Sequence, residues 1–68
     1  MDFGVSRSEL SALIDEWIFS ERNRKILKRR FLDGICLEPL AEEFDLSVRQ
    51  IKAICSKGAE TLKAHIGE

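Results

Sequence analysis

A net excess of positive charge, histidine, glycine-rich loops and long apolar runs are lacking or scarce in this 68-residue sequence, and each narrows what the chain can do. Eleven Lys and Arg stand against twelve Asp and Glu, a formal net charge of −1. The bulk positive charge of a protein that holds nucleic acid mainly through phosphates is therefore missing. The single histidine, His65, and the two cysteines, Cys36 and Cys55, have no CxxC or zinc-ligand spacing. The cysteines read as reduced thiols, Cys55 on a buried stripe and Cys36 at a helix start, and nothing requires a disulfide. No apolar run approaches a membrane span and no signal-peptide pattern opens the sequence, so a cytoplasmic location without a membrane partner is the expectation. A phosphate-cradling loop is absent, His65 has no evident acid or nucleophile partner, and Glu42 and Glu43 lie on a solvent-facing stretch. No enzymatic activity, cofactor, metal or small-molecule substrate is expected.

What is present is helical. One Pro, four Gly and 44% hydrophobic residues describe a chain that is neither disordered nor of low complexity. Apolar residues recur at helical spacing throughout, which predicts an all-α fold: a compact four-helix domain over 1–68, with an N-terminal arm at 1–5. No internal repeat is found.

The most informative stretch is GICLEPLAEEFDLSVRQIKAICSK, Gly34 to Lys57. Leu37, Leu40, Ala41 and Phe44 form one face of a short helix whose other face carries Glu38, Glu42 and Glu43. Pro39 falls in its first turn, where a missing N–H costs little. A tight corner at Asp45 and Leu46 follows. Ser47 is the expected N-cap of a second helix, on which Ile51, Ile54, Cys55, Leu62 and Ile66 trace a single buried stripe. Together these make a helix-turn-helix pattern with its core at about 36–58. Gly58 interrupts the second helix at a local cost of about 1 kcal/mol and marks either a bend or a close backbone approach.

With Ile51 inward, Arg49, Gln50, Ala53, Ser56, Lys57 and Glu60 point outward, and Lys52 sits at the margin. Such a face suits a major groove: Arg pairs with guanine O6 and N7, Gln with adenine N6 and N7, and Ala can touch a thymine methyl. The bland alternative is a solvated amphipathic helix.

Upstream, Phe3 and Val5 of the arm either pack back or fray. Ser6 to Glu9 reads S-R-S-E, a capping box opening a helix with Leu10, Leu13, Ile14, Trp17 and Ile18 on its apolar face. Trp17 is either a core anchor or, with Ile18, Phe19 and Phe3, part of an exposed patch that marks a partner site or homodimer seam. Ser20 caps the next helix, which ends at about Leu32 before a left-handed exit at Asp33 and Gly34.

Charge is segregated. Residues 1–21 carry one base and five acids, 22–32 six bases and no acid, 33–46 five acids, and 47–68 four bases and two acids. Arg22, Lys25, Lys28 and Arg29 of the basic helix, with Ser47, Ser56 and Lys57 around the outward face, are the candidate phosphate contacts. The basic residues equally suit ion pairs with Glu38, Glu42, Glu43, Asp15 or Glu16.

From Arg22 to Ile66 the run RNRKILKRRFLDGICLEPLAEEFDLSVRQIKAICSKGAETLKAHI resembles region 4 of bacterial sigma factors, over about two-thirds of the chain. The shared pattern is a basic helix ending in aromatic-leucine-acid-glycine, then the helix-turn-helix, then a helix rich in Lys and Leu. The resemblance implies a helical domain whose last helix reads double-stranded DNA in the major groove and which docks on the flap of RNA polymerase. Carried over by position, the family's contacting residues fall on Val48, Arg49, Gln50, Lys52 and Ala53. Asp45 stands at the usual turn glycine, Cys36 at the usual Thr or Ser cap, and Val48 where Arg is common.

Two classes of function follow: a small DNA-binding transcription regulator, or a protein-interaction module that meets RNA polymerase or another regulator through its apolar first helix or acidic scaffold helix. For a dimer of the first class, half-sites one helical turn apart are expected.

Overall fold

Caps and corners set the four helices. The computed structural model describes residues 4–66, which form α1 (Arg7–Trp17), α2 (Glu21–Phe31), α3 (Leu37–Phe44) and α4 (Val48–His65). The all-α, four-helix expectation is met, and the radius of gyration, 11.3 Å, is that of a compact chain of this length.

Three serines begin three helices. Ser6 Oγ accepts the Glu9 N–H at 3.2 Å, Ser20 Oγ the Asn23 N–H at 3.3 Å, and Ser47 Oγ the Gln50 N–H at 3.1 Å. The reciprocal capping box expected at Ser6 is only half made. It closes instead at Ser47, where Gln50 Oε1 accepts the Ser47 N–H at 2.9 Å. Cys36 starts α3 without a side-chain bond, and Pro39 stands third in that helix, before the first N–H that needs an intrahelical carbonyl.

Two left-handed residues make the sharp exits. Gly34 (φ 71°) ends the connection from α2, where the Ile35 N–H returns to the Arg29 carbonyl at 3.1 Å. Asp45 (φ 55°, ψ 45°) ends α3, and the Leu46 N–H returns to the Ala41 carbonyl at 2.9 Å. Aspartate tolerates this conformation better than most residues with a Cβ, so the corner forms without glycine.

One core joins all four helices. Ile14, Ile26, Leu27, Leu40, Ile51 and Leu62 are fully buried, with Leu10, Ile18, Ala41 and Cys55 around them. No polar or charged side chain is buried among the described residues. Phe31, Leu37, Phe44, Leu46 and Ile54 pack on this cluster, as does Val5 of the arm, whereas Phe3 lies outside the described residues. α4 runs through Gly58 unbroken. The glycine marks a close approach and not a bend: a Cβ there would meet the Leu27 methyls.

The patch expected at Trp17, Ile18 and Phe19 needs correction. Ile18 follows the last turn of α1 in extended conformation and is buried, 8% exposed, so it belongs to the core and not to a partner surface. Trp17 is half-buried and stacks on His65, ring centroids 3.5 Å apart and planes 3° from parallel, tying the end of α4 to the end of α1. Phe19 alone of the three projects, at 82% exposure. No described helix is long and apolar enough to cross a membrane.

Candidate nucleic-acid interface

α4 exposes one side because the other is spent on the core. Ile51, Cys55, Ala59 and Leu62, spaced three or four residues apart, are buried, so the intervening positions turn outward. Val48, Arg49, Gln50, Lys52, Ala53, Ser56 and Lys57 are all exposed, as is Ser47 just before them. Val48 is one of two large apolar side chains left exposed among the described residues, at 41%. Arg49, Lys52 and Lys57 make no ion pair with any described residue. Their charge is available to an anionic partner.

Shallow grooves flank this ridge. On one side Ala53, Lys57 and Thr61 face Trp17, Phe19 and Asn23 across a depression of about 290 Å³. On the other, Lys52 and Ser56 face Arg30 and Leu37.

The basic helix is used differently. Lys28 Nζ lies 2.7 Å from Asp15 of α1, and Arg29 Nη2 lies 2.7 Å from Glu43 of α3, with Asp33 at 3.7 Å from its other terminal nitrogen. Hydrogen bonding by Glu43, then its charge, pushes the Arg29 pKa further up. Arg24 donates to the Ile18 carbonyl at the end of α1, and Arg30 donates to the Ile35 carbonyl at 3.1 Å. Arg24 thus satisfies a carbonyl at a helix exit, where backbone acceptors lack intrahelical donors, and Arg30 one in the connection between α2 and α3. Lys25, Lys28 and Arg29 line a shallow depression with Glu43 and Phe44 of α3. Of the four expected phosphate contacts on α2, Lys28 and Arg29 are thus committed to carboxylates. Arg22, bonded to Asn23 Oδ1 at 3.3 Å, and the exposed Lys25 have no ion pair among the described residues.

Gln50 is the residue whose placement the sequence signalled and the groove-facing assignment passed over. S-V-R-Q at 47–50 fits the S-x-x-Q capping box. Its carboxamide oxygen accepts the Ser47 N–H at 2.9 Å, which turns that end of the side chain back toward the start of the helix.

The thiols differ sharply. Cys36 is exposed; Cys55 is buried, and burial pushes its pKa up against a smaller opposing effect of Arg30. The folded protein should therefore take one equivalent of a thiol reagent rapidly at Cys36 and the second only on unfolding, measurable by mass spectrometry of Cys36→Ser and Cys55→Ser variants. Rapid loss of both thiols would contradict the packing of α4. Among the described residues no group of three or more His, Cys, Asp or Glu is placed to hold a metal ion. Compared with known proteins, the chain matches no family model, no curated protein and no solved structure.

Proposed function

We propose that this chain is a small DNA-binding transcription regulator of the sigma region 4 type, with α3, the Asp45 corner and α4 as a helix-turn-helix and α4 as the recognition helix. The observation that carries this is the outward ridge of α4. Arg49, Lys52 and Lys57 lie along it without ion pairs among the described residues, with Ala53 exposed between Lys52 and Lys57 and Val48 exposed just before Arg49. A helix anchored by its opposite face and bearing donors and small apolar groups outward meets the steric and chemical demands of a major groove. Arg22 and Lys25 remain as flanking phosphate contacts. The net charge of −1 makes binding depend on this local face, so a monomer binds weakly and with strong salt dependence. A cytoplasmic site of action, with RNA polymerase as a second partner, belongs to the same proposal.

An amide chemical-shift titration of the labelled protein with a DNA duplex tests it. The expected changes concentrate on residues 47–57, with smaller ones at Arg22 and Lys25. Changes centred on α1 or α3 instead would place the DNA elsewhere and refute the assignment.

One observation favours a protein-interaction module. Phe19 is 82% exposed at the rim of the groove that also holds Trp17 and Ala53, and such an aromatic is costly to leave in water. On this alternative, Phe19→Ser leaves the melting temperature nearly unchanged and abolishes binding to RNA polymerase or self-association. Unaltered association would remove Phe19 from any such surface.

A further inference from the structure

We propose that α4 reads guanine and thymine and not adenine, because Gln50 is held as a helix cap; this rests on the DNA-binding function proposed above. A free glutamine matches adenine with both ends of its carboxamide, Oε1 accepting from N6 and Nε2 donating to N7. Here Oε1 accepts the Ser47 N–H at 2.9 Å while Ser47 Oγ accepts the Gln50 N–H at 3.1 Å. The partner of the carboxamide is a backbone donor, so the oxygen must face it, and Nε2 with its two hydrogens becomes the outward end. Releasing the carboxamide to present both ends would give up its bond to the Ser47 N–H, while Ser47 Oγ stays on the Gln50 N–H. That loss is of the same order as the discrimination a two-ended adenine contact supplies.

The remaining N–H donors suit any acceptor alike, whether guanine O6, thymine O4 or a phosphate oxygen. Gln50 therefore adds affinity without recognising the adenine amino group. Selection falls to its neighbours. Arg49, exposed and without an ion pair among the described residues, suits guanine O6 and N7. Val48, apolar and 41% exposed in the first turn, and Ala53, exposed five residues on, suit thymine methyl groups.

The test begins with a duplex enriched by the full chain from a randomised pool. Each adenine is then replaced by purine, which lacks the 6-amino group, and binding is measured by anisotropy for the wild type and for Gln50→Ala. The expected result is that every such replacement changes affinity by the same factor in both proteins. Replacing one thymine by uracil should cost about fourfold, the worth of a buried methyl, and that cost should shrink in Val48→Ala. An adenine whose 6-amino group is worth about tenfold to the wild type and nothing to Gln50→Ala would overturn the inference while leaving DNA binding intact. Enrichment of no sequence would remove the DNA-binding proposal and this inference with it. The cap has its own readout: Gln50→Ala should lower the melting temperature and Gln50→Glu, which keeps the acceptor, should not. Unchanged melting in Gln50→Ala would also overturn the inference.

Discussion

Gly58→Val is expected to lower the melting temperature by roughly 5–20 °C, or to unfold the domain outright, as overpacking a tight contact in a small domain does. Gly58 lies in the middle of an 18-residue helix, where glycine by itself is unfavourable by about 1 kcal/mol relative to alanine. On propensity alone, any side chain there should stabilise. The packing reverses the sign. A Cβ at this position would sit 2.6 and 2.7 Å from the two methyl carbons of Leu27 and 3.2 Å from its Cγ. Leu27 is 1% exposed and hemmed in by the core, so it has nowhere to move without displacing its neighbours. Even Gly58→Ala should therefore be destabilising in thermal melts. Trimming the other partner should rescue it: Gly58→Val with Leu27→Ala should be more stable than the sum of the two single losses by about 1 kcal/mol or more. A rise in melting temperature for Gly58→Ala would show that α2 and α4 are not in this close approach.

Arg49→Ala is expected to weaken binding to a selected DNA site by about 5- to 150-fold, the worth of 1–3 kcal/mol for a guanine-reading arginine, and to relax preference at one base pair. Its melting curve should not move, since Arg49 is exposed and makes no ion pair among the described residues. Lys28→Ala and Arg29→Ala supply the contrast. Their side chains hold Asp15 and Glu43, so these variants should bind DNA nearly as the wild type does and differ, if at all, in stability. Equal losses of affinity at Arg49, Lys28 and Arg29 would indicate a diffuse electrostatic contact and not readout by α4.

Local signals in the sequence were sufficient where the structure is governed by local chemistry. The left-handed corner at Asp45, the exit at Gly34, the early position of Pro39 and the serine caps each follow from a few neighbouring residues. Gly58 offered a bend or a close approach, and only the position of Leu27, from another helix, decides between them. The same limit applies to the basic helix. Its cations suited phosphates or carboxylates equally, and the choice depends on Asp15 and Glu43 arriving from α1 and α3. Ile18 illustrates a finer point: one residue past the helix, the extended backbone turns its side chain inward and leaves Phe19 out. Gln50 was legible twice over, as a cap and as a base reader, and the hydrogen bonds to Ser47 select the cap.

The most direct test of the central claim, that the outward face of α4 binds DNA, is fluorescence anisotropy of a labelled mixed-sequence duplex at about 50 and 200 mM salt. Wild type should be compared with the Lys52→Ala/Lys57→Ala variant. Phosphate contacts from Arg22, Lys25 and Lys57, with Lys52 at the margin of the face counted as a fourth, predict that wild-type affinity falls about 150-fold across this range. The variant should bind more weakly at low salt, and its salt dependence should be about half as steep on a logarithmic scale. Equal binding and equal salt dependence of the two proteins, or no binding by the wild type at either salt, would contradict the account.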